Sequence, residues 1–246
     1  MLAVRMAGGL GNQLFRYALY LYLKTKGKKV KLDTGFYRKQ DLSLADEREY
    51  VLEKYFDIRA DYLNVFERAG IRFLRKIRRY DRIKYTDRGI GFESEVTELD
   101  GKILEGYWET FFYAESCGRA FRETLATDTR YAGDALINEM KTCESVSIHV
   151  RRGDYVRLGR TVSDRYYHEA LRYMREKLEE PVFYCFSDDP GYSRGLFGDK
   201  VRYVDNERGE LFDLCAMSAC RHNIIANSTF SAWAAWLNEN EGKIIV

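Results

Sequence analysis

The chain opens on a strand, a glycine-rich turn, a helix and a second strand, and this order restricts the fold more than any other feature. The run LAVRMA at 2–7 predicts the first strand, and KKVKLD at 28–33 predicts the second. Between them, NQLFRYALYLYLKTKG repeats apolar side chains at helical spacing and ends on Gly27, a residue type that favours helix termination. Strands joined through a helix pair in parallel, so the sequence predicts an α/β fold with a parallel sheet.

The same alternation returns in the second half of the chain. Short apolar runs predict five further strands, at VSIHV, VFYCF, VRYV, NIIA and KIIV. The segments between them predict three helices, at DRYYHEALRYMREKL, ELFDLCAMSAC and FSAWAAWLNEN. Residues 41–142 are mostly helical in pattern, with one more strand predicted at KILEGYW. We therefore predict two α/β halves, residues 1–142 and 143–246.

Composition and charge narrow the classes of function. A net charge of +2 gives no reason to expect a nucleic-acid partner. No run of about 18 apolar residues predicts a membrane-spanning helix. The cysteines are odd in number and lack metal-ligand spacing, so we expect reduced thiols in a cytoplasmic protein. They are Cys117, Cys143, Cys185, Cys215 and Cys220.

The stretch SVSIHVRRGDY places two arginines at the end of an apolar strand. Side chains alternate along a strand, so His149 and Arg151 should point to the same face. Arg151 is the candidate anion ligand, because a guanidinium group matches phosphate bidentately. Arg152 should pair with Asp154 and shape the loop. The alternatives are that both arginines form only salt bridges and that His149 is a core histidine.

The stretch MAGGLGNQLF combines a strand end, a glycine turn and a helix start. Such a turn lets the backbone approach a ligand, and a helix N-terminus favours anions. The stretch lacks Gly-Lys-Ser/Thr and is not a P-loop, but Gly9-x-Gly11 half-matches a dinucleotide fingerprint whose third glycine is replaced by Leu14. Asp33 would suit a ribose hydroxyl in that reading. A tight turn without a ligand explains the motif equally well.

Two further polar motifs follow predicted strands, ANSTFS and FSDDP. In the first, Ser228 could cap the next helix, or the hydroxyls of Ser228, Thr229 and Ser231 could hold a phosphate. In the second, Asp188 and Asp189 could accept hydrogen bonds from guanine or simply form a turn. Ligands of α/β folds bind at the carboxyl ends of strands, so four polar motifs at such ends favour a ligand site.

Taken together, these motifs resemble the α1,2-fucosyltransferases of glycosyltransferase family 11. The resemblance rests on HVRRGDY, GGLGNQLFRYA, FSDD and CRHNIIANSTFSAWAAWLN, with further support from REYVLEKYFDI and LEGYWETFFYAE. It implies an α/β, GT-B-like fold of two Rossmann-type halves facing across a cleft, with the donor on the C-terminal half. The implied reaction moves L-fucose from GDP-β-L-fucose to the 2-hydroxyl of a galactose-terminated glycan, with inversion. It also implies that no metal or other cofactor is required.

The resemblance assigns roles to individual residues. Arg151 would bind the β-phosphate and stabilise the leaving GDP. The general base is not assigned in this way; Asp154 is our candidate because it lies just after Arg151, and shaping the loop as a partner of Arg152 is an equally good role for it. Further donor contacts are implied for His149 on the nucleotide, Asp188 or Asp189 on guanine, Thr229, Phe230 (through its backbone) and Ser231 on the pyrophosphate, and Gly9, Gly11 and Asn12 on the sugar from the N-terminal half. The family usually has glutamine where Glu109 stands.

Two other functions remain possible from the sequence. One is a catalytically weak nucleotide- or glycan-binding protein on the same fold. The other is a Rossmann dehydrogenase that uses Gly9-x-Gly11 and Asp33. Thermal stabilisation by GDP compared with NAD distinguishes them, because a ligand at about 100 times its Kd adds roughly 2.7 kcal/mol.

The segment at 65–88 carries nine Lys/Arg and three acidic residues. Its apolar residues recur at three- or four-residue steps and predict a helix with one apolar stripe and a cationic remainder. We expect either a solvated helix packed on the N-terminal half or peripheral contact with an anionic membrane at the inner face of the plasma membrane. The residues of the predicted stripe are Phe66, Ala69, Phe73, Ile77 and Tyr80.

Overall fold

The computed structural model describes residues 1–38, 48–89, 91–125 and 130–246. The chain divides into two compact units, Met1–Leu125 and Ala126–Val246. This division lies upstream of the 142/143 boundary that the sequence suggests. The physical reason is that helix Ala135–Thr142 packs against helix Glu210–Ala219 of the C-terminal unit.

The N-terminal unit is an α/β unit with a parallel sheet in the order β2-β1-β4-β3. The predicted β-α-β start is confirmed, since β1 and β2 pair in parallel from Leu2↔Val30 to Arg5↔Asp33. Its strands are β1 (Leu2–Arg5), β2 (Val30–Asp33), β3 (Lys84–Thr86) and β4 (Ile103–Glu105). Its helices are α1 (Leu10–Thr25), α2 (Leu52–Tyr55), α3 (Val65–Lys76), α4 (Phe112–Ser116) and α5 (Arg119–Thr124).

The C-terminal unit repeats this design with the strand order β7-β6-β5-β8, again parallel. Its strands are β5 (Ser145–Val150), β6 (Val182–Ser187), β7 (Arg202–Tyr203) and β8 (His222–Ile224). Its helices are α6 (Ala135–Thr142), α7 (Gly153–Arg157), α8 (Asp164–Lys177), α9 (Pro190–Phe197), α10 (Glu210–Ala219) and α11 (Thr229–Leu237). The three helices predicted from the sequence in this half are confirmed as α8, α10 and α11.

The two faces of β5 differ in the way that the sequence predicts. Val146, Ile148 and Val150 join an apolar cluster with side chains of α8. On the other face, the Asn223 amide nitrogen donates to Ser147 Oγ at 2.7 Å and to the carbonyl of Met217 at 2.8 Å. Helices therefore cover both faces of the sheet, and the strand ends are left to carry polar side chains.

Two predicted elements differ in the structure. The run KIIV forms only an isolated parallel bridge, Asn223↔Ile245, rather than a strand. The cationic segment is helical only to Lys76, because Arg78 adopts a left-handed φ of 54° that ends the helical path. A 3₁₀ turn at Tyr80–Arg82 and strand β3 follow.

All five cysteines are free thiols, and three of them are buried. Within the described residues, no helix is both long and apolar enough to cross a bilayer.

Candidate functional site

The carboxyl end of β5 lies at the point where the C-terminal sheet changes direction. The chain proceeds from β5 to β6 and β7 on one side and then returns to place β8 on the other. Ligands of open α/β sheets bind outside the strand ends at such a switch point. Arg151 and the turn at Asn227–Ser228 follow the two strands that flank it. The structure therefore brings two of the predicted motifs to one edge of the sheet.

Arg151 is held by two carboxylates. Its Nη1 donates to Asp188 Oδ2 at 2.6 Å, and its Nη2 donates to Asp154 Oδ1. The Arg151 side chain keeps 20% of its surface exposed. The predicted pairing of Arg152 with Asp154 is wrong, because the first turn of α7 presents Asp154 to Arg151 instead.

Arg152 belongs to a second pair on the same edge. Its Nε donates to Asp189 Oδ2 at 3.3 Å, and its guanidinium carbon lies 3.6 Å from the centre of the Tyr192 ring. Its backbone N–H donates to Asp188 Oδ1 at 2.7 Å. A Cβ on Gly153 would approach Asp188 Oδ2 to 2.8 Å, so glycine permits this close approach of the loop to Asp188.

The FSDDP turn therefore connects to the RRGD loop through both of its carboxylates. Asp189 also caps α9, where its Oδ1 accepts from the backbone N–H of Tyr192 at 3.0 Å. The alternative in which these aspartates form a turn is therefore confirmed for Asp189. A carboxylate has about four acceptor positions, so these bonds leave capacity on both groups for a ligand. The guanine contact of Asp188 or Asp189 stays a prediction.

His149 is buried and uncharged at neutral pH. Burial, with a smaller contribution from Arg151, lowers its pKa to about 3. Its Nδ1 has no hydrogen-bond partner within the described residues, which is rare for a buried polar atom. The His149 ring lies 5.6 Å from the ring of Phe230. This places a neutral imidazole with an unpartnered nitrogen beside the start of α11.

Ser228 caps α11, as one of the two sequence alternatives predicts. Its Oγ accepts from the backbone N–H of Phe230 at 3.3 Å. The Ser231 hydroxyl is buried and lies 3.2 Å from the carbonyl of Ser228. Thr229 and Phe230 are half-buried. The hydroxyls of Ser228 and Ser231 thus stabilise the turn, and the phosphate contacts of Thr229, Phe230 and Ser231 stay predictions.

A cavity of about 510 Å³ lies beside the FSDDP turn, at the ends of β6 and β7. This volume is in the range of small-molecule sites. The sequence reasoning missed the residues that follow β7, although their polar side chains at a strand end were a usable signal. The cavity is lined by Cys185, Ser187, Pro190, Arg194, Tyr203, Val204, Asp205 and Glu207.

In the N-terminal unit, the glycine-rich turn takes its left-handed residue at Gly8, with φ 79°, rather than at Gly9 or Gly11. Gly9 is the extended N-cap of α1, and Gly11 lies buried within the helix with Asn12 beside it. The buried amide of Gln13 donates to the carbonyl of Gly8 at 3.1 Å. The turn is therefore stabilised internally, and the sugar contacts of Gly9, Gly11 and Asn12 stay predictions.

Asp33 does not present a carboxylate for a ribose. It is buried, its Oδ1 accepts from the backbone N–H of Gly35 at 2.9 Å, and its Oδ2 accepts from Arg5 at 3.3 Å. The dehydrogenase alternative required this group to be available at the end of β2.

A second cavity, of about 280 Å³, lies at the ends of β3 and β4 in the N-terminal unit. Its lining includes Asp87, Tyr107 and Glu109. Asp87 Oδ2 accepts from the backbone N–H groups of Tyr107 and Trp108, both at 2.9 Å, and burial raises the pKa of Glu109. Tyr107 is 58% exposed. The sequence analysis predicted a strand at KILEGYW but assigned no ligand contact to the polar residues at its end.

Arg16 lies next to this cavity and is almost fully buried. Its guanidinium carbon lies 5.7 Å from the Tyr107 ring centre, and its Nη1 donates to the carbonyl of Ala7 at 2.6 Å. Burial lowers its pKa, and its Nε has no hydrogen-bond partner among the described residues. The cavity thus combines an exposed tyrosine with two carboxylates, and the buried Arg16 guanidinium lies beside the Tyr107 ring without lining the cavity.

The described residues include no group of three or more His, Cys, Asp or Glu side chains arranged to hold a metal ion. The edge of the C-terminal sheet carries the side chains of Arg151 and Arg152, and α11 begins after the neighbouring strand β8.

Comparison with solved structures shows which fold the chain shares. The fucosyltransferase NodZ from Bradyrhizobium superposes with a TM-score of 0.57 and 19% sequence identity, over 96% of this chain and 91% of NodZ. A crystal of NodZ α-1,6-fucosyltransferase soaked with GDP-fucose gives a TM-score of 0.56. The fold is therefore GT-B-like, with two α/β units of Rossmann type.

The family follows from the sequence comparisons. A profile described as Glycosyl transferase family 11 matches residues 98–246. An α-1,2-colitosyltransferase of Escherichia coli is 28% identical over 98% of this chain and 89% of that protein. The galactoside 2-α-L-fucosyltransferase SEC1 of Bos taurus is 33% identical over 41% of this chain and 30% of its own length. The chain belongs to glycosyltransferase family 11.

Proposed function

We propose that this enzyme transfers L-fucose from GDP-β-L-fucose to the 2-hydroxyl of a galactoside, with inversion. The observation that carries the proposal is the position of Arg151 directly after β5, at the switch point of the C-terminal sheet, with α11 beginning after the neighbouring strand β8. The guanidinium group and the helix N-terminus are both ligands for a diphosphate. The cavity beside the FSDDP turn would take the nucleoside. His149, which lies beside Phe230 at the start of α11 and not in that cavity, would contact another part of the nucleotide.

In the proposed step, the acceptor oxygen attacks the anomeric carbon of fucose. The bond from that carbon to the β-phosphate oxygen breaks, GDP leaves with both electrons of the bond, and the acceptor proton passes to a base. Negative charge grows on the β-phosphate, where the Arg151 guanidinium and the N–H groups of α11 would stabilise it. No metal is needed for this charge in the proposal.

Asp154, our sequence-based candidate for the general base, holds Arg151 in the structure. Together with Asp188 it fixes the guanidinium before the donor binds, and preorganisation of this kind lowers the cost of charge stabilisation. We therefore assign Asp154 the positioning of Arg151 and leave the proton to another base.

We place the acceptor glycan in the cavity of the N-terminal unit. A sugar has an apolar face of C–H groups that suits the exposed Tyr107 ring, and hydroxyls that can donate to carboxylates such as Asp87 and Glu109. The name of the bovine relative supports a galactoside, and the names of both relatives support linkage to a 2-hydroxyl.

The colitosyltransferase relative favours a second donor, GDP-colitose, whose sugar is the 3-deoxy form of L-fucose. The two donors differ by one hydroxyl. The same Arg151 site would serve both, so the choice depends on contacts to the sugar.

The test is incubation of the full chain with GDP-fucose or GDP-colitose and a panel of galactosides, with products read by mass and linkage by NMR. We expect an α1,2-linked product and faster turnover with GDP-fucose. GDP binding without turnover on any galactoside would support the binding-protein alternative. An α1,6 linkage or transfer from another nucleotide sugar would overturn the proposal.

A further inference from the structure

The helix α3 presents its apolar side outward. Phe66 and Phe73 lie seven residues apart, about two turns, so both rings project from one face. Phe66 is 86% exposed and Phe73 is 60% exposed. Ala69 and Gly70, between the two rings, are exposed as well, and so is Ile77 directly after the helix. These five residues form a continuous surface that we name the outer stripe.

The opposite side of α3 is fixed to the N-terminal unit. Ile71 packs against an apolar cluster under the sheet. Glu67 accepts from Lys31 Nζ at 2.7 Å, and Arg75 Nη2 donates to Glu105 Oε1 at 3.1 Å. A capping box closes the start of the helix. The helix α3 is therefore already packed against the N-terminal unit through its other side, and the outer stripe stays exposed in that packed position.

Basic side chains border the outer stripe. Arg72 and Lys76 lie on α3, and Arg78, Arg79 and Arg82 follow it in the turn toward β3. All five are exposed, and within the described residues none of them forms an ion pair. Exposed hydrophobic side chains next to cations that have no ion-pair partner among the described residues suit an anionic bilayer, whose interior is apolar and whose headgroups carry negative charge.

We propose that α3 and the turn after it bind the surface of an anionic lipid bilayer. The outer stripe would enter the boundary between headgroups and acyl chains, to a depth of about 5–10 Å, while the bordering cations contact lipid phosphates. A second copy of this chain is a poorer occupant, because a two-fold contact through the stripe would bring two sets of five cations together.

The test is co-sedimentation of the full chain with vesicles of phosphatidylglycerol and phosphatidylcholine, and with phosphatidylcholine vesicles alone. Each basic residue near an anionic surface contributes about fivefold in binding. We therefore expect Arg72→Gln/Lys76→Gln/Arg79→Gln to weaken binding to the anionic vesicles about a hundredfold. NaCl at about 0.5 M should weaken wild-type binding as well, because it screens the charges.

Two further variants distinguish binding through the outer stripe from binding through positive charge elsewhere on the protein. Phe66→Ser/Phe73→Ser should weaken binding at least tenfold, since each ring buries a large apolar surface in the bilayer. The matched control, Arg165→Gln/Lys177→Gln/Arg172→Gln on α8, removes the same number of exposed charges from the C-terminal unit and should bind like wild type. Thermal unfolding of all variants checks that each is folded.

Equal binding to both kinds of vesicle, or an equal loss in the α8 control, would show that α3 is not the anionic-lipid surface. Light scattering in the absence of lipid measures whether the chain is a monomer or a dimer. If the wild type is a dimer and the Phe66→Ser/Phe73→Ser variant is a monomer, a second copy covers the stripe and the proposal is wrong.

Discussion

Replacing Arg151 with lysine keeps the positive charge but removes the planar fork. In the structure, Nη1 and Nη2 bind two different carboxylates, on Asp188 and Asp154. A lysine ammonium group is a point charge and cannot bridge both carboxylates while it contacts a diphosphate. We expect Arg151→Lys and Arg151→Ala to lose most transfer activity.

The expected loss of activity follows from the hydrogen bonds that the substitution removes. A hydrogen bond to a charged group contributes roughly 1.5–3 kcal/mol, and the loss of one donor to a developing oxyanion costs about 2.7–4 kcal/mol of activation free energy. Arg151→Lys should therefore lower kcat on the order of a hundredfold or more. Arg151→Ala also leaves Asp154 and Asp188 without their cation, so it should lower the free energy of unfolding by about 1–3 kcal/mol.

The assay is single-turnover transfer from GDP-fucose at a temperature where every variant is folded, with GDP affinity measured in parallel. The control is Arg152→Lys, because Arg152 holds Asp189 and stacks on Tyr192 without a predicted phosphate contact. Arg152→Lys should lose less transfer activity than either Arg151 variant. Wild-type kcat in Arg151→Lys would refute the phosphate role of Arg151.

The sheet architecture was predictable because apolar periodicity and turn residues specify it locally. The parallel pairing of β1 with β2 follows from the strand-helix-strand order, and the burial of Val146, Ile148 and Val150 follows from strand alternation. Strand order was not predictable in this way. The position of β8 beside β5 depends on contacts between residues far apart in sequence.

The ion pairs of the site show a second limit. RRGD places Arg152 close to Asp154 in sequence, yet Arg151 takes that carboxylate because Asp154 lies in the first turn of α7. The second partner of Arg151, Asp188, comes from the loop after β6. The sequence identifies which polar groups gather at the strand ends, and the backbone of the loops decides which of them pair.

The helix α3 shows a third limit. Periodicity correctly predicts a stripe that contains Phe66 and Phe73, but it does not say which way the stripe faces. Ile71 and the paired side chains of Glu67 and Arg75 hold the opposite side to the unit. Those partners are distant in sequence, so only the structure reveals that the larger apolar side is exposed.

Three further tests address the cofactor, the acceptor cavity and a buried carboxyl group. Transfer should survive excess EDTA, because the proposed diphosphate ligands are Arg151 and the N-terminus of α11; loss of activity that Mg²⁺ or Mn²⁺ restores would contradict this. Tyr107→Ala should raise KM for the galactoside about tenfold or more, for the loss of one aromatic contact, and leave KM for the donor unchanged; a change in the donor KM alone would place the acceptor elsewhere. Asp213→Asn should stabilise the protein at alkaline pH. Burial, with the nearby Glu210 carboxylate, raises the pKa of Asp213 to about 7, so the folded state holds this proton more tightly than the unfolded chain does. The free energy of unfolding should therefore fall as pH rises from about 4 to about 7, by roughly 2–4 kcal/mol once the partial exposure of the group is allowed for. The Asp213→Asn variant lacks this titration. In urea unfolding, its free energy of unfolding should exceed that of the wild type at pH 8, and by less at pH 4. An equal difference at both pH values would mean that the Asp213 carboxyl does not titrate between them.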